Sequence, residues 1–148
     1  KVFANPKIDD RVRSDAQIMI ARSAIKTKDD TKAKAAYAKL LTTAKGELAV
    51  EALYYDAYFK NKENKFAESN KVVEKLAKDF SGYKYFGAKA LIVMAKNYYG
   101  LGDSFQATTI LDSLVKNFTD YSDVQEEAQK ELDHIKGEEA KRNSSIQH

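Results

Sequence analysis

The sequence predicts an all-α protein of stacked helical hairpins, and three observations predict it. Ala, Lys, Glu and Leu are abundant and the single Pro stands at position 6, so nothing from residue 10 onward forbids helix on proline grounds. Apolar residues recur at spacings of three and four, as in Ile18, Ala21 and Ile25 or Val72, Leu76, Ala77 and Phe80, and sustained strict alternation is absent. Alanines at 16, 52, 90 and 128 set a period, with intervals of 36, 38 and 38 residues.

Turn-forming clusters at Lys28-Asp29-Asp30-Thr31, Ala44-Lys45-Gly46, Asn61-Lys62-Glu63-Asn64, Ser81-Gly82, Gly100-Leu101-Gly102-Asp103 and Thr119-Asp120-Tyr121-Ser122 cut the chain into about seven helices. Residues 1–9 come first. The repeat frame makes Val2-Phe3-Ala4-Asn5-Pro6 the tail of a preceding hairpin's second helix, or a linker, and together with the missing initiator Met predicts a piece of a longer array. Three units follow, at about 10–46, 47–83 and 84–121. In each, a small residue stands five positions after the leading Ala (Ala21, Ala57, Ala95), and another twelve positions further on (Ala33, Ser69, Ala107). Small residues at fixed spacing let two helix backbones approach closely. Four and seven positions past the second small residue come Tyr37 and Leu40, Val73 and Leu76, Leu111 and Leu114, and after a further four Ala44, Phe80 and Phe118. That is one stripe of a second helix, facing the small stripe of the first. A helix over 122–136 closes the array: Val124, Ala128, Leu132 and Ile135 form one apolar stripe on an otherwise charged helix, as a capping element requires. Residues 137–148 carry no stripe and are expected to fray.

Composition removes whole classes of chemistry. With no Cys, the chain cannot build thiol catalysis, Cys-ligated zinc, iron–sulfur clusters or disulfides, and no stretch approaches the apolar length of a membrane span. The charge of +3 comes from 25 basic and 22 acidic residues with interspersed signs, poor grounds for a polyanionic partner. The only histidines are His134, alone on the last helix, and the terminal His148, so no metal or catalytic pair is expected. Asp9-Asp10, Asp29-Asp30, Glu126-Glu127 and Glu138-Glu139 are adjacent carboxylates, which diverge by about 100° on a helix instead of converging on a substrate; they read as caps or solvated faces. Gly100-Leu101-Gly102 lacks the strand and third glycine of a dinucleotide loop, and no phosphate-loop Gly-Lys-Ser/Thr exists. No catalytic, cofactor or metal site is predicted.

The frame resembles the tetratricopeptide repeat, W-x2-L-G-x2-Y, then A-x3-F, then P. Leu91, Ala95 and Tyr98 with Ala107 and Leu111 carry the resemblance in the third unit; Leu53, Ala57, Phe66, Ser69 and Val73 in the second; Gln17, Ala21, Ala33 and Tyr37 in the first. Ser81 and Thr119 stand where the family closes with Pro. The resemblance, over about residues 10–135, implies a right-handed superhelix of about three repeats plus the capping helix. Segments such as Lys78-Asp79-Phe80-Ser81-Gly82-Tyr83 and Tyr98-Tyr99-Gly100-Leu101-Gly102-Asp103 resemble divergent repeats of bacterial cell-envelope proteins, outer-membrane assembly lipoproteins and Tol–Pal accessory proteins among them. That implies a setting in the periplasm or at the outer-membrane periphery, with the cytoplasm open as an alternative.

In this family the first helix of each hairpin lines a concave groove that holds a partner segment. The resemblance therefore assigns the groove to Asp15, Ile18, Arg22 and Ile25, to Glu51, Tyr54, Tyr58 and Asn61, to Lys89, Ile92, Lys96 and Tyr99, and to Glu127, Lys130 and His134. Ile18, Tyr54, Tyr58, Ile92 and Tyr99 would supply apolar and hydrogen-bonding contact, and Arg22, Lys96 and Lys130 would pair with acidic groups. The implied function is a non-catalytic protein-binding scaffold, whose partners are other proteins and neighbouring repeats of a parent chain. Two alternatives stand beside it: a structural spacer within a longer array, and an RNA-binding helical repeat. Asp15, Glu51 and Glu127 in the groove oppose the RNA reading.

Overall fold

A computed structural model describes residues 6–146. Seven helices follow one another: α1 (Pro6–Lys26), α2 (Asp30–Thr43), α3 (Glu47–Lys62), α4 (Phe66–Asp79), α5 (Lys84–Gly100), α6 (Ser104–Asn117) and α7 (Ser122–Ile146). Among the described residues there is no strand. Helices α1 and α2, α3 and α4, and α5 and α6 pair as antiparallel hairpins, and each second helix then packs on the first helix of the next unit. The fold is an all-α solenoid of three tetratricopeptide-like hairpins closed by α7.

The small stripes are what let the hairpins close. Ala21, Ala57 and Ala95 of the first helices and Ala33, Ser69 and Ala107 of the second are completely buried. Leu40, Leu76 and Leu114 fill the same level of three successive units, each side chain contributing about 1.5–3 kcal/mol on burial. The leading alanines Ala52, Ala90 and Ala128 are also completely buried, whereas Ala16 is exposed at the outer end of the stack.

The turns inside the hairpins repeat as well. Lys28, Asn64 and Gly102 all take a left-handed conformation, with φ of 61°, 62° and 87°. In each case the next amide reaches back across the turn, Asp29 N–H to the Ala24 carbonyl, Lys65 to Lys60 and Asp103 to Tyr98, which is the Schellman closure of a helix. Asp29 and Asp103 then cap α2 and α6 through their carboxylates, accepting from the amides of Lys32 and Gln106.

Hairpins two and three share a buried polar lock. Asn97 of α5, wholly enclosed, donates to Ser69 Oγ and Asn70 Oδ1 of α4 at 2.8 Å each and accepts from Asn61 Nδ2 of α3 at 2.9 Å. Ser69 in turn donates to the Ala57 carbonyl at 2.7 Å, so the polar side chains of the cluster satisfy one another.

Both ends differ from expectation. Pro6 does not close a preceding helix; it opens α1, a position where its missing N–H breaks no helical hydrogen bond. Residues 6–9 therefore belong to the first hairpin, and the expectation for residues 1–5 lies outside the described residues. Residues 137–146 are helix instead of a frayed tail, because α7 continues to Ile146. Glu138 with Lys141 and Glu139 with Arg142 pair one turn apart along the extension. Its residues Glu139, Ala140 and Asn143 also flank a hollow shared with Ser104 and Phe105 of α6.

Candidate functional site

The two kinds of helix pack unequally. α3 lies on α5 and α5 on α7, whereas among the described residues α2, α4 and α6 make no comparable contact with one another. The first helices α3, α5 and α7 are thus drawn together on one side of the stack.

Three of the eight residues proposed to bind a partner are core instead. Ile18, Tyr54 and Ile92 are 5%, 4% and 0% exposed. The reason is shared: two positions past the leading Ala, each side chain enters the same apolar cluster as the leading Ala of the following unit, Ile18 with Ala52, Tyr54 with Ala90 and Ile92 with Ala128. The position seals one hairpin to the next. Arg22 and Lys130 are exposed, and Tyr58, Lys96 and Tyr99 half-buried.

Arg22 is not a free cation. Its guanidinium grips Glu51 of α3 through two hydrogen bonds, 2.7 and 3.1 Å, and the Tyr37 hydroxyl of α2 donates to the same carboxylate at 2.7 Å. Glu51 is 5% exposed, so these two donors take the place of water around a buried charge. Burial, followed by the bond to Glu51, pushes the Tyr37 hydroxyl well above its ordinary value. This cluster joins all three helices at the first hairpin junction.

Aromatic rings continue from there along α3. Tyr55 stacks on Tyr37 with centroids 4.3 Å apart, and Tyr58 stands edge-on to both Tyr55 and Phe59. The ring of Tyr58 is thereby held by packing while part of the residue remains accessible, and Lys62 lies over it at 4.9 Å.

A second polar group spans α5 and α7. Tyr85 donates its hydroxyl to Asp123 at 2.6 Å, and Lys89 lies over the rings of Tyr54 and Tyr85 at 5.2 and 5.7 Å. The bond to Asp123, then burial, raises Tyr85 to about 12, while its own hydroxyl holds Asp123 below the usual carboxylate range. Lys96 faces Glu131 across the same pair of helices at 4.0 Å.

Sequence reasoning does not find Tyr55, Tyr85 or Asp123. Tyr85 and Asp123 each stand five residues before a leading Ala, so the repeat frame places them at equivalent positions one period apart, a usable signal. Tyr55 carries no such mark. Of the remaining groove positions, Asp15 and His134 are exposed, Ile25, Asn61, Lys89 and Glu127 half-buried, and Glu51 buried. No group of three His, Cys, Asp or Glu residues that could hold a metal ion occurs among the described residues. No described helix is long and apolar enough to cross a membrane.

Comparisons with curated proteins and with solved structures found no match to the chain. The tetratricopeptide repeat family model matches twice, at residues 15–44 and 89–121. The two segments fall on the first and third hairpins, and the second hairpin, which the family model does not match, has the same buried small residues at the same frame positions. Two family matches one double period apart, on a stack of hairpins of one design, support a tetratricopeptide repeat protein.

Proposed function

We propose that this protein is a non-catalytic scaffold whose concave face holds a segment of another protein. Tetratricopeptide repeats generally mediate protein–protein interaction. The observation that carries the proposal here is the half-exposed ring of Tyr58, fixed edge-on by Tyr55 and Phe59 and bordered by Lys62 with its ion-pair partner Asp30. A rigid aromatic face costs little ordering entropy on binding, and its polar border favours specific pairing. Tyr99, Lys96 and Lys130 extend the surface along α5 and α7. The acidic side chains Asp123, Glu127 and Glu131 of α7 oppose a nucleic-acid ligand.

The test is photo-crosslinking from positions 58 and 99, with exposed Lys75 of α4 as a control on the other face. One recurrent protein captured from 58 and 99 but not from 75 is the expected result. Equal capture from all three positions, or none, rejects the groove. We further propose a bacterial cell-envelope setting, on the resemblance of the 78–83 and 98–103 segments alone; fractionation of the native source that leaves the protein in the cytosol overturns it.

A spacer role within a longer array is the second reading. The observation that favours it is an apolar stripe on the outer side of α1.

A further inference from the structure

Val12, Ala16, Met19 and Ile20 recur at i, i+4, i+7 and i+8, one stripe of α1, and all four are exposed: Val12 by 60%, Met19 by 73% and Ile20 by 40%. The opposite face of α1 buries Ser14, Ile18, Ala21 and Ala24, so the stripe points out of the stack. Each of the four has a counterpart two periods later on α5, namely Phe86, Ala90, Val93 and Met94. There the same positions are core. Ala90 and Val93 are buried and Phe86 and Met94 partly so, in one cluster with Val50, Leu53 and Ala57 of α3 and Val73 and Leu76 of α4. The next position along the stripe, Ser23, corresponds to Asn97, whose amide bonds Ser69 and Asn70 of α4.

We infer that the outer face of α1 receives one more inter-hairpin interface, and that its occupant is a helical hairpin of this same repeat type, laid on α1 as α3 and α4 lie on α5. The inference rests on the repeat-array reading and is independent of groove binding. It continues an interface that the structure already builds between every pair of neighbouring units. A second copy stacked end to end does not supply the occupant: the outward positions of α7 are Glu126, Gln129, Lys130, Asp133 and Lys136, a polar and charged face that offers the stripe no apolar side chains. The stripe asks for apolar side chains at its centre and for a hydroxyl or amide opposite Ser23.

The chain contains its own probe. Residues 47–83, fused directly ahead of residue 10, reproduce the register in which Tyr83 precedes Lys84. Because the protein lacks Cys, an Ala16→Cys substitution reports on the face by its rate of maleimide labelling. In the 148-residue chain this thiol should label as fast as an exposed cysteine at all protein concentrations. In the fusion, labelling should slow by at least about tenfold while helical circular dichroism rises by one hairpin's worth, as expected when a position passes from solvent to core. Adding Met19→Asp to the fusion should restore fast labelling. A fused hairpin that stays unfolded, or that folds and leaves the introduced thiol as reactive as before, overturns the inference. So does protection in the unfused chain that grows with concentration, which would put a second copy on the face. Crosslinking from Tyr58 and Tyr99 is read separately, so failure of either proposal is visible without the other.

Discussion

Asn97→Ala isolates the polar lock between the second and third hairpins. The substitution removes two donated hydrogen bonds and one accepted, all within 2.8–2.9 Å, from a site with no solvent access. Asn70 Oδ1 loses its donor at a residue only 8% exposed, and a stranded buried acceptor costs about 1–3 kcal/mol. Ser69 Oγ keeps its own bond to the Ala57 carbonyl and loses only an incoming donor, and half-exposed Asn61 can turn to water, so these two together add about 1 kcal/mol. The total is about 3 kcal/mol, a fall in Tm of about 6–12 °C for a chain of this size. Urea and thermal denaturation followed by circular dichroism measure it. Asn70→Ala on the Asn97→Ala background should then cost much less than Asn70→Ala alone, because the stranded acceptor is gone; a coupling of about 0.5–3 kcal/mol is expected. A single variant within about 0.5 kcal/mol of the parent, or strict additivity, would refute the reasoning.

Other outcomes follow from the same structure. Ala95→Leu forces a branched side chain into a completely buried point of the third hairpin and should cost about 1–3 kcal/mol; an unchanged melt rejects the small stripe as the hairpin seam. At the three equivalent left-handed turn positions, Lys28→Gly should raise stability by about 0.5–1 kcal/mol, Asn64→Gly by less, and Gly102→Ala should lower it by about 1 kcal/mol, all read from urea midpoints. Stability should also decline in alkali. Tyr85 holds its proton in the folded state to about 12 against about 10 when unfolded, so its contribution is complete below about pH 10 and is lost as pH rises through about 12. Tyr85→Phe should flatten the dependence of Tm on pH over that window, and an unchanged slope would refute the assignment.

The hairpins are legible in the sequence because they are periodic. Three cycles of small residues and Leu side chains at fixed spacing report a shared seam, and that seam is what the structure buries. The groove is legible only in part. Counting positions on a helix assigns Ile18, Tyr54 and Ile92 to the concave face. What counting misses is the neighbour: the following hairpin leans over the position two past the leading Ala and turns it into core. Arg22 stays at the surface but loses its freedom to Glu51, a pairing between residues 29 apart that no local pattern announces. The end of α7 departs from expectation for a different reason. Absence of an apolar stripe removes a reason to pack, but it leaves helix propensity and pairs such as Glu139 with Arg142 in force.

What the period hides is where specificity resides. At one frame position the chain carries Ser23, Phe59, Asn97 and Ile135 in its four successive units. The first is exposed and the other three buried, so the fold imposes enclosure at this level without imposing a chemistry. Each junction then uses a different polar device: Arg22 and Tyr37 on Glu51 at the first, the Asn97 cluster at the second, and Tyr85 on Asp123 with Gln125 on the Val115 carbonyl at the third. Apolar seams of nearly equal shape would tolerate exchange of one hairpin for another. Unlike polar locks do not, because a mismatched pair leaves a buried donor or acceptor unmet. Exchanging residues 47–83 for a second copy of 84–121 tests this directly: the apolar frame is preserved, yet Phe59 is replaced by a second Asn97 and the partner Asn61 by Tyr99. The hybrid should stay helical but melt below the parent, and Phe restored at the duplicated Asn97 position should recover part of the loss. A hybrid as stable as the parent would mean that the apolar period alone orders the stack.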